Sequence, residues 1–340
     1  MTTKVNMALV SLLAAATVPY AAAQKINACG ATFPEPIYTK WFSDYKAAHP
    51  SVQINYTGNG SGGGVKGVTD GTVDFGASDA PMTDAELSAV KNNKILHFPT
   101  VMGAVVPIYN LPGVSQELKF SGSVLADIFL GKITKWSDKA LAADNPGVKL
   151  PNADITVVHR TDGSGTTYVW TDFLSKTSPD WKSKVGTAKQ VSWPVGLGGA
   201  QNAGVAGQVK NTPNSIGYAE LIYAEHEKIG YGLVKNADGQ FVKASIASVT
   251  AAAAGAAKTM PADFRVSITN APGKDSYPIS TFTWLLIPSK FSDATKAKEI
   301  KSFLEWMLAD GQKSAPALTY APLPASVVAM EKKQLAMVTQ

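Results

Sequence analysis

Residues 155–166 read Ile-Thr-Val-Val-His-Arg-Thr-Asp-Gly-Ser-Gly-Thr. Ile155 to Val158 is a β-branched, strand-like run, and Thr167 to Leu174 has the pattern of an amphipathic helix. A turn of small residues and one arginine, Arg160, thus sits where a strand hands over to a helix. The first backbone N–H groups of a helix have no partner inside it, and the helix dipole is positive at that end. Such a turn suits an anion.

Working outward from it, strands and helices alternate along the chain. Toward the N-terminus, Ile26 to Ala31 starts as a short strand, and Pro34 to Ala48 is helical, with Ile37, Trp41 and Tyr45 at a spacing of four. Val52 to Tyr56 alternates as a strand does. A glycine-rich run from Gly58 to Gly64 breaks it, and Val65 to Val68 opens a helix. Val73 to Ser78 is strand-like and ends at Asp79. Thr83 and Glu86 have the spacing of a capping box for a helix over 83–90. Leu96 to Asn110 is a long apolar extended run, stopped by Leu111-Pro112-Gly113. Short helices follow at 123–130 and 139–143. On the C-terminal side, Gly196 to Ala200 reads as a turn and Ala203 to Lys210 as a helix. Ser215 to Tyr218 is a strand, and Glu220 to Glu227 and the alanine-rich 248–257 are helices. Ile279 to Ile287 is a second long apolar strand, and helices close the chain at 294–308 and 324–338. This alternation gives the α/β class. The two long apolar runs are expected to cross between two lobes, with mixed sheets flanked by helices.

The chain has 340 residues, 45% of them hydrophobic, enough for a sizeable core without special staples. Its single cysteine, Cys29, excludes an internal disulfide and reads as a small buried residue of the first strand. Residues 1–23 carry Lys4, an apolar run from Met7 to Val18 and the small residues Ala21-Ala22-Ala23. That is the pattern of a secretory signal peptide, with an apolar run too short for a membrane span. The chain is therefore expected to be exported to the periplasm. The formal net charge of +5 is spread out, and no basic block marks a nucleic-acid partner. A monomer is expected.

Several turns share the chemistry of the opening one. Ala31-Thr32-Phe33-Pro34 precedes one helix, Gly60-Ser61-Gly62-Gly63 precedes another, and Ser78-Asp79 ends a strand. Each offers hydroxyls or free N–H groups, although Ser, Thr and Asp are also favoured at ordinary caps. Enzymatic readings fare less well. Gly58-x-Gly60-x-x-Gly63 fits a dinucleotide fingerprint, but so glycine-rich a run fits many patterns. No phosphate loop of the G-x-x-x-x-G-K-[ST] type occurs, and Gly76-Ala77-Ser78-Asp79-Ala80 misses the nucleophile elbow at its last residue. His49, His97, His159 and His226 have no metal-ligand spacing with another ligating residue, so no metal and no cofactor are expected. Strand alternation points His159 away from Arg160. Trp41, Trp170 and Trp306 lie on apolar helix faces.

Gly30-Ala31-Thr32-Phe33-Pro34, Gly60-Ser61-Gly62-Gly63, the run Asp74 to Pro81 and the run Arg160 to Thr166 together resemble the phosphate-binding proteins of bacterial ABC phosphate importers. Phe98 to Val101, Gly131 to Trp136 and Trp193 to Gly199 are similar to that family too. The resemblance implies a two-lobed periplasmic binding protein of type II-like architecture. Lobe I would comprise 24–106 and 281–340, and lobe II 107–280, joined by two crossover strands around one buried phosphate. It implies that Thr32 and Phe33 give backbone N–H groups, with the Thr32 hydroxyl and Ser61 as further donors. Asp79 sits beside the anion, Arg160 supplies charge, and Ser164, Gly165 and Thr166 complete the site. Asp162 orients Arg160. The chain departs from the family at Gly62, often serine, and at His159, often basic. The implied function is capture of inorganic phosphate for a membrane-embedded ABC phosphate permease. The alternatives are a secreted phosphate-ester hydrolase or a nucleotide-binding protein.

Overall fold

The computed structural model describes residues 24–340, so the signal-peptide reading of 1–23 lies outside the described residues. Strand β1 (Gln24–Gly30) pairs in parallel with β2 (Val52–Gly58) on one side and β3 (Phe75–Ser78) on the other. Between β1 and β2 runs helix α1 (Glu35–Ala48), with Pro36 in its first turn. Its stripe of Ile37, Trp41 and Tyr45 is buried as the spacing predicts, and the chain leaves the helix at His49-Pro50.

Helix α2 (Ser61–Asp70) links β2 to β3 and begins earlier than the sequence suggests. Its first turn is the glycine run itself. Gly is a poor helix former, costing about 1 kcal/mol relative to Ala. Here close packing requires it: a Cβ on Gly64 would lie 2.3 Å from the carbonyl oxygen of Ala77 in β3. Helix α3 (Asp84–Ala89) is closed at its start by the Thr83–Glu86 capping box, with both reciprocal bonds made.

Strand β4 (Ile95–Asn110) runs through both lobes, buried from Ile95 to Tyr109. Beyond it come β5 (Lys119–Phe120), α4 (Gly122–Phe129), α5 (Lys139–Asp144), β6 (Thr156–Arg160), α6 (Gly165–Thr177), α7 (Pro179–Lys184), β7 (Leu197–Gly199), α8 (Gln201–Asn211), β8 (Ser215–Glu220) and α9 (Leu221–Glu227). After these lie β9 (Gly230–Tyr231), β10 (Leu233–Lys235), β11 (Phe241–Val242), α10 (Ile246–Ala256), β12 (Ser280–Pro288), α11 (Ala294–Met307) and α12 (Ala325–Gln334).

The main sheet runs β2-β1-β3-β12-β4-β8-β6-β7, with β9 also on β4; β11-β10-β5 form a small separate sheet. The Ile95–Ala104 half of β4 pairs antiparallel with β12, and its Val105–Asn110 half pairs with β8. The strand thus exchanges one lobe's sheet for the other's between Ala104 and Val105. The second crossing enters at Ile279, whose carbonyl accepts from Val105 N–H at 2.9 Å. Both crossing runs are apolar because they are covered on both faces. The stretch read as a turn at 196–200 contains the edge strand β7, which pairs in parallel with the end of β6.

Candidate anion-binding site

On the lobe II side, β6 delivers Arg160 and α6 begins four residues later. Ser164 caps α6, its Oγ accepting from Thr167 N–H at 3.0 Å. The N–H groups of Gly165 and Thr166, in the first turn, have no acceptor within the helix. The Arg160 side chain is 1% exposed. Its Nε donates to Asp162 Oδ1 at 2.8 Å and its Nη2 to Asp162 Oδ2 at 2.5 Å. This fork-to-carboxylate pairing fixes the guanidinium plane. Nη1 is buried with no hydrogen-bond partner among the described residues. Burial alone would raise the Asp162 carboxyl, but the Arg160 bonds and charge hold it below its ordinary value.

On the lobe I side, Thr32 and Phe33 lie in the turn between β1 and α1, Ser61 opens α2, and Asp79 follows β3. All are buried. The Phe33 carbonyl accepts from the Tyr320 hydroxyl at 2.6 Å, and the Thr32 carbonyl from Tyr223 at 2.5 Å. These bonds hold the turn's carbonyls outward. Asp79 Oδ1 accepts from Thr283 Oγ1 at 2.9 Å, while its Oδ2 has only long contacts, 3.5 Å, to the Ser61 and Thr166 hydroxyls. Burial pushes the Asp79 carboxyl up to about 7, against the downward pull of Thr283, Arg160, Ser61 and Thr166. With no cation in contact, these neighbours offset only part of the desolvation cost of its charge.

The two sides interlock. A Cβ on Gly165 would lie 2.5 Å from Ser61 Oγ and 2.6 Å from Asp79 Cβ, so only glycine permits this approach. Gly62 N–H donates to the Gly163 carbonyl at 2.7 Å, and Gln201 Nε2 to the Gly58 carbonyl at 2.6 Å. Thr32, Phe33, Ser61, Asp79, Arg160, Ser164, Gly165 and Thr166 are thereby gathered at one buried junction, with Asp162 beside Arg160. His159 lies half-buried at its edge, its ring stacked on Trp193 at 4.9 Å.

Three residues of this junction have no sequence signal of their own. Thr283, in β12, is one apolar-strand residue among many. Asn202, fully buried in the first turn of α8, bonds to Thr32 and to Thr166. Glu220 caps α9, its Oε2 accepting from Ile222 N–H at 2.8 Å while its Oε1 is buried without a partner. Burial raises its carboxyl well above the ordinary range.

Two lobes fed by one shared sheet, closed over an unpaired guanidinium nitrogen and helix N-termini, define a solute-binding protein. The sequence signature of the PBP superfamily domain matches residues 16–311, and the chain belongs to that superfamily. It is 44% identical over 325 residues to the phosphate-binding protein PstS of Haemophilus influenzae, covering 95% of this chain and 96% of that protein. It is 43% identical over 324 residues to the phosphate-binding protein PstS of Xylella fastidiosa, covering 94% of this chain and 88% of that protein. A crystal structure of a phosphate-binding protein from Stenotrophomonas maltophilia shares the fold with a TM-score of 0.70 at 20% identity, covering 92% of this chain and 94% of that one.

Proposed function

We propose that this protein captures inorganic phosphate in the periplasm and delivers it to an ABC-type phosphate permease. The observation that carries this reading is the buried Arg160 Nη1, which has no hydrogen-bond partner among the described residues, while Nε and Nη2 are both bonded to Asp162. A buried donor without an acceptor costs about 1–3 kcal/mol, more if charged, so a ligand acceptor belongs there.

The remaining groups fit a protonated oxyanion. Phosphate at neutral pH keeps at least one proton, and sulfate keeps none. The Asp79 carboxylate accepts a hydrogen bond from the first and repels the second, which selects phosphate by what it excludes. Thr32, Ser61, Ser164 and Thr166 supply hydroxyls, and the turns at Phe33, Ser61, Gly165 and Thr166 supply N–H groups. The Asp162 pair holds Arg160 so that its free nitrogen points to the anion. Lobe I is residues 24–106 with 281–340, and lobe II is 107–280. Closure of the two buries the ion, and the closed shape signals occupancy to the permease. Residues 1–23 are the signal peptide that directs export. The relatives are named as binding proteins, which supports capture without turnover.

Isothermal titration with phosphate, sulfate and arsenate tests the reading. The expected result is one phosphate bound per chain, no heat from sulfate, and no release of phosphate from p-nitrophenyl phosphate over hours. Absence of phosphate binding, or steady ester hydrolysis, overturns it.

A further inference from the structure

The carboxamide of Asn202 makes three hydrogen bonds at the junction of the lobes, using both Nδ2 hydrogens and its Oδ1. Its Oδ1 accepts from the Glu220 backbone N–H at 3.0 Å. A backbone N–H can only donate, so the amide oxygen must face it and the orientation of the carboxamide is fixed. Nδ2 then donates one hydrogen to Thr32 Oγ1 at 3.0 Å and the other to Thr166 Oγ1 at 3.1 Å. The backbone N–H of Asn202 adds a longer contact to Thr32 Oγ1, 3.4 Å. Asn202, Thr166 and Thr32 are all buried, so water does not substitute for these bonds.

A hydroxyl has one hydrogen and rotates freely unless something fixes it. Here both hydroxyl oxygens already accept from Asn202, so each hydroxyl proton must point elsewhere. Thr166 Oγ1 is 3.5 Å from Asp79 Oδ2, on the side where the anion belongs. We infer that Asn202 is a positioning residue that orients the Thr32 and Thr166 hydroxyls as donors to the bound anion, and that its hold on Thr32 is made only when the lobes close. The second half follows from placement. Asn202 and Thr166 ride on α8 and α6 of lobe II, whereas Thr32 belongs to lobe I. The bond to Thr32 exists only in the closed form, so alignment of that donor and closure are one event, whereas Thr166 is aligned within lobe II. This inference rests on the phosphate reading.

A double-mutant cycle tests it, with phosphate Kd measured by titration at pH 8 and thermal melting without phosphate as the fold control. Replacing Thr32 and Thr166 by valine keeps their shape and removes both hydroxyls. Asn202→Ala is expected to weaken phosphate binding roughly tenfold to a hundredfold in the otherwise native protein. In the T32V/T166V background the same change is expected to cost less than about threefold, because the hydroxyls it acts through are gone. Asn202→Asp, which accepts where the amide donates and adds charge near the anion, is expected to bind more weakly than Asn202→Ala. A purely structural Asn202 would cost the same in both backgrounds; that additivity overturns the inference, as does wild-type affinity in Asn202→Ala or Asn202→Asp. If the valine pair abolishes measurable binding, the order of the alanine and aspartate variants decides. Failure of the native protein to bind phosphate is a different result and strikes the proposed function itself.

Discussion

Asp79 on lobe I and Asp162 on lobe II are the same residue type at the same junction, and their carboxyls move in opposite directions. Asp162 has a guanidinium in two-point contact and is held low; Asp79 has hydroxyls for company and is pushed up to about 7 by burial. The difference lies in which neighbour each lobe provides. Lobe II pairs its acid with its cation in advance, leaving both N–H groups of Arg160 Nη1 unbonded among the described residues. Lobe I holds its acid unpaired, so that charge acts on the ligand. On the proposed reading attraction and discrimination sit on different lobes, and mutations on each side should separate them.

The largest expected effect is that of Arg160→Ala. It removes the free donor and strands Asp162 as an unpaired acid, so phosphate affinity should fall by about a hundredfold to several thousandfold. Unchanged affinity by titration would break the comparison, because lobe II would not be the attracting side. Gly165→Ala comes next. Its Cβ clashes with Ser61 and Asp79 only when the lobes meet. Phosphate binding should weaken roughly tenfold to a hundredfold, with the melting temperature of the ligand-free protein unmoved. An equal loss of ligand-free stability would show that the clash is not confined to closure.

Asp79→Asn should leave most phosphate affinity while the preference over sulfate drops about tenfold or more. The native protein should show the same loss as pH falls below about 7, where Asp79 becomes a neutral acid able to donate to sulfate. The variant's selectivity should not vary with pH through this group. Stability follows the opposite sense. The native carboxyl titrates above its unfolded value, so its stabilising contribution is complete at acid pH and is lost as pH rises through 7. Asp79→Asn should therefore raise the ligand-free melting temperature at pH 8 more than at pH 5.

The smallest effect sharpens the contrast. Glu331 in α12 is also a buried acid, with neither carboxyl oxygen hydrogen-bonded among the described residues, and burial raises it. Glu331→Met should raise the melting temperature at pH 8 by a few degrees and leave phosphate binding and selectivity unchanged. A change in selectivity would mean that a buried acid anywhere in the lobe can tune the site.

Most of the element order was legible because the elements are long and periodic: the stripe of α1, the capping box of α3 and the apolar runs of β4 and β12. Trp41 and Trp170 are buried as their spacing predicts, whereas Trp306 is only partly so. The short pieces escaped. A two-residue strand such as β5, β9 or β11 has no alternation to detect, and α7 is too short for a hydrophobic period. The start of α2 was hidden because glycine ordinarily breaks a helix, and only the contact with β3 explains its use there. The site was legible where chemistry clusters in one turn, as from Arg160 to Thr166. Asn202 was not, because its partners Thr32 and Thr166 lie 170 and 36 residues from it in the chain, and Thr32 belongs to the other lobe.

The position of β12 in the sheet has a consequence for how the molecule is made. It lies between β3 and β4, in the middle of the lobe I sheet, yet its last residue is Pro288. Lobe I therefore cannot complete its sheet from the first third of the polypeptide. The gap waits for a strand that emerges from the ribosome after the whole of lobe II. Contacts of such long sequence separation are made late and slowly. On the proposed route of export that order is useful, since the part synthesised first is the part least able to finish alone.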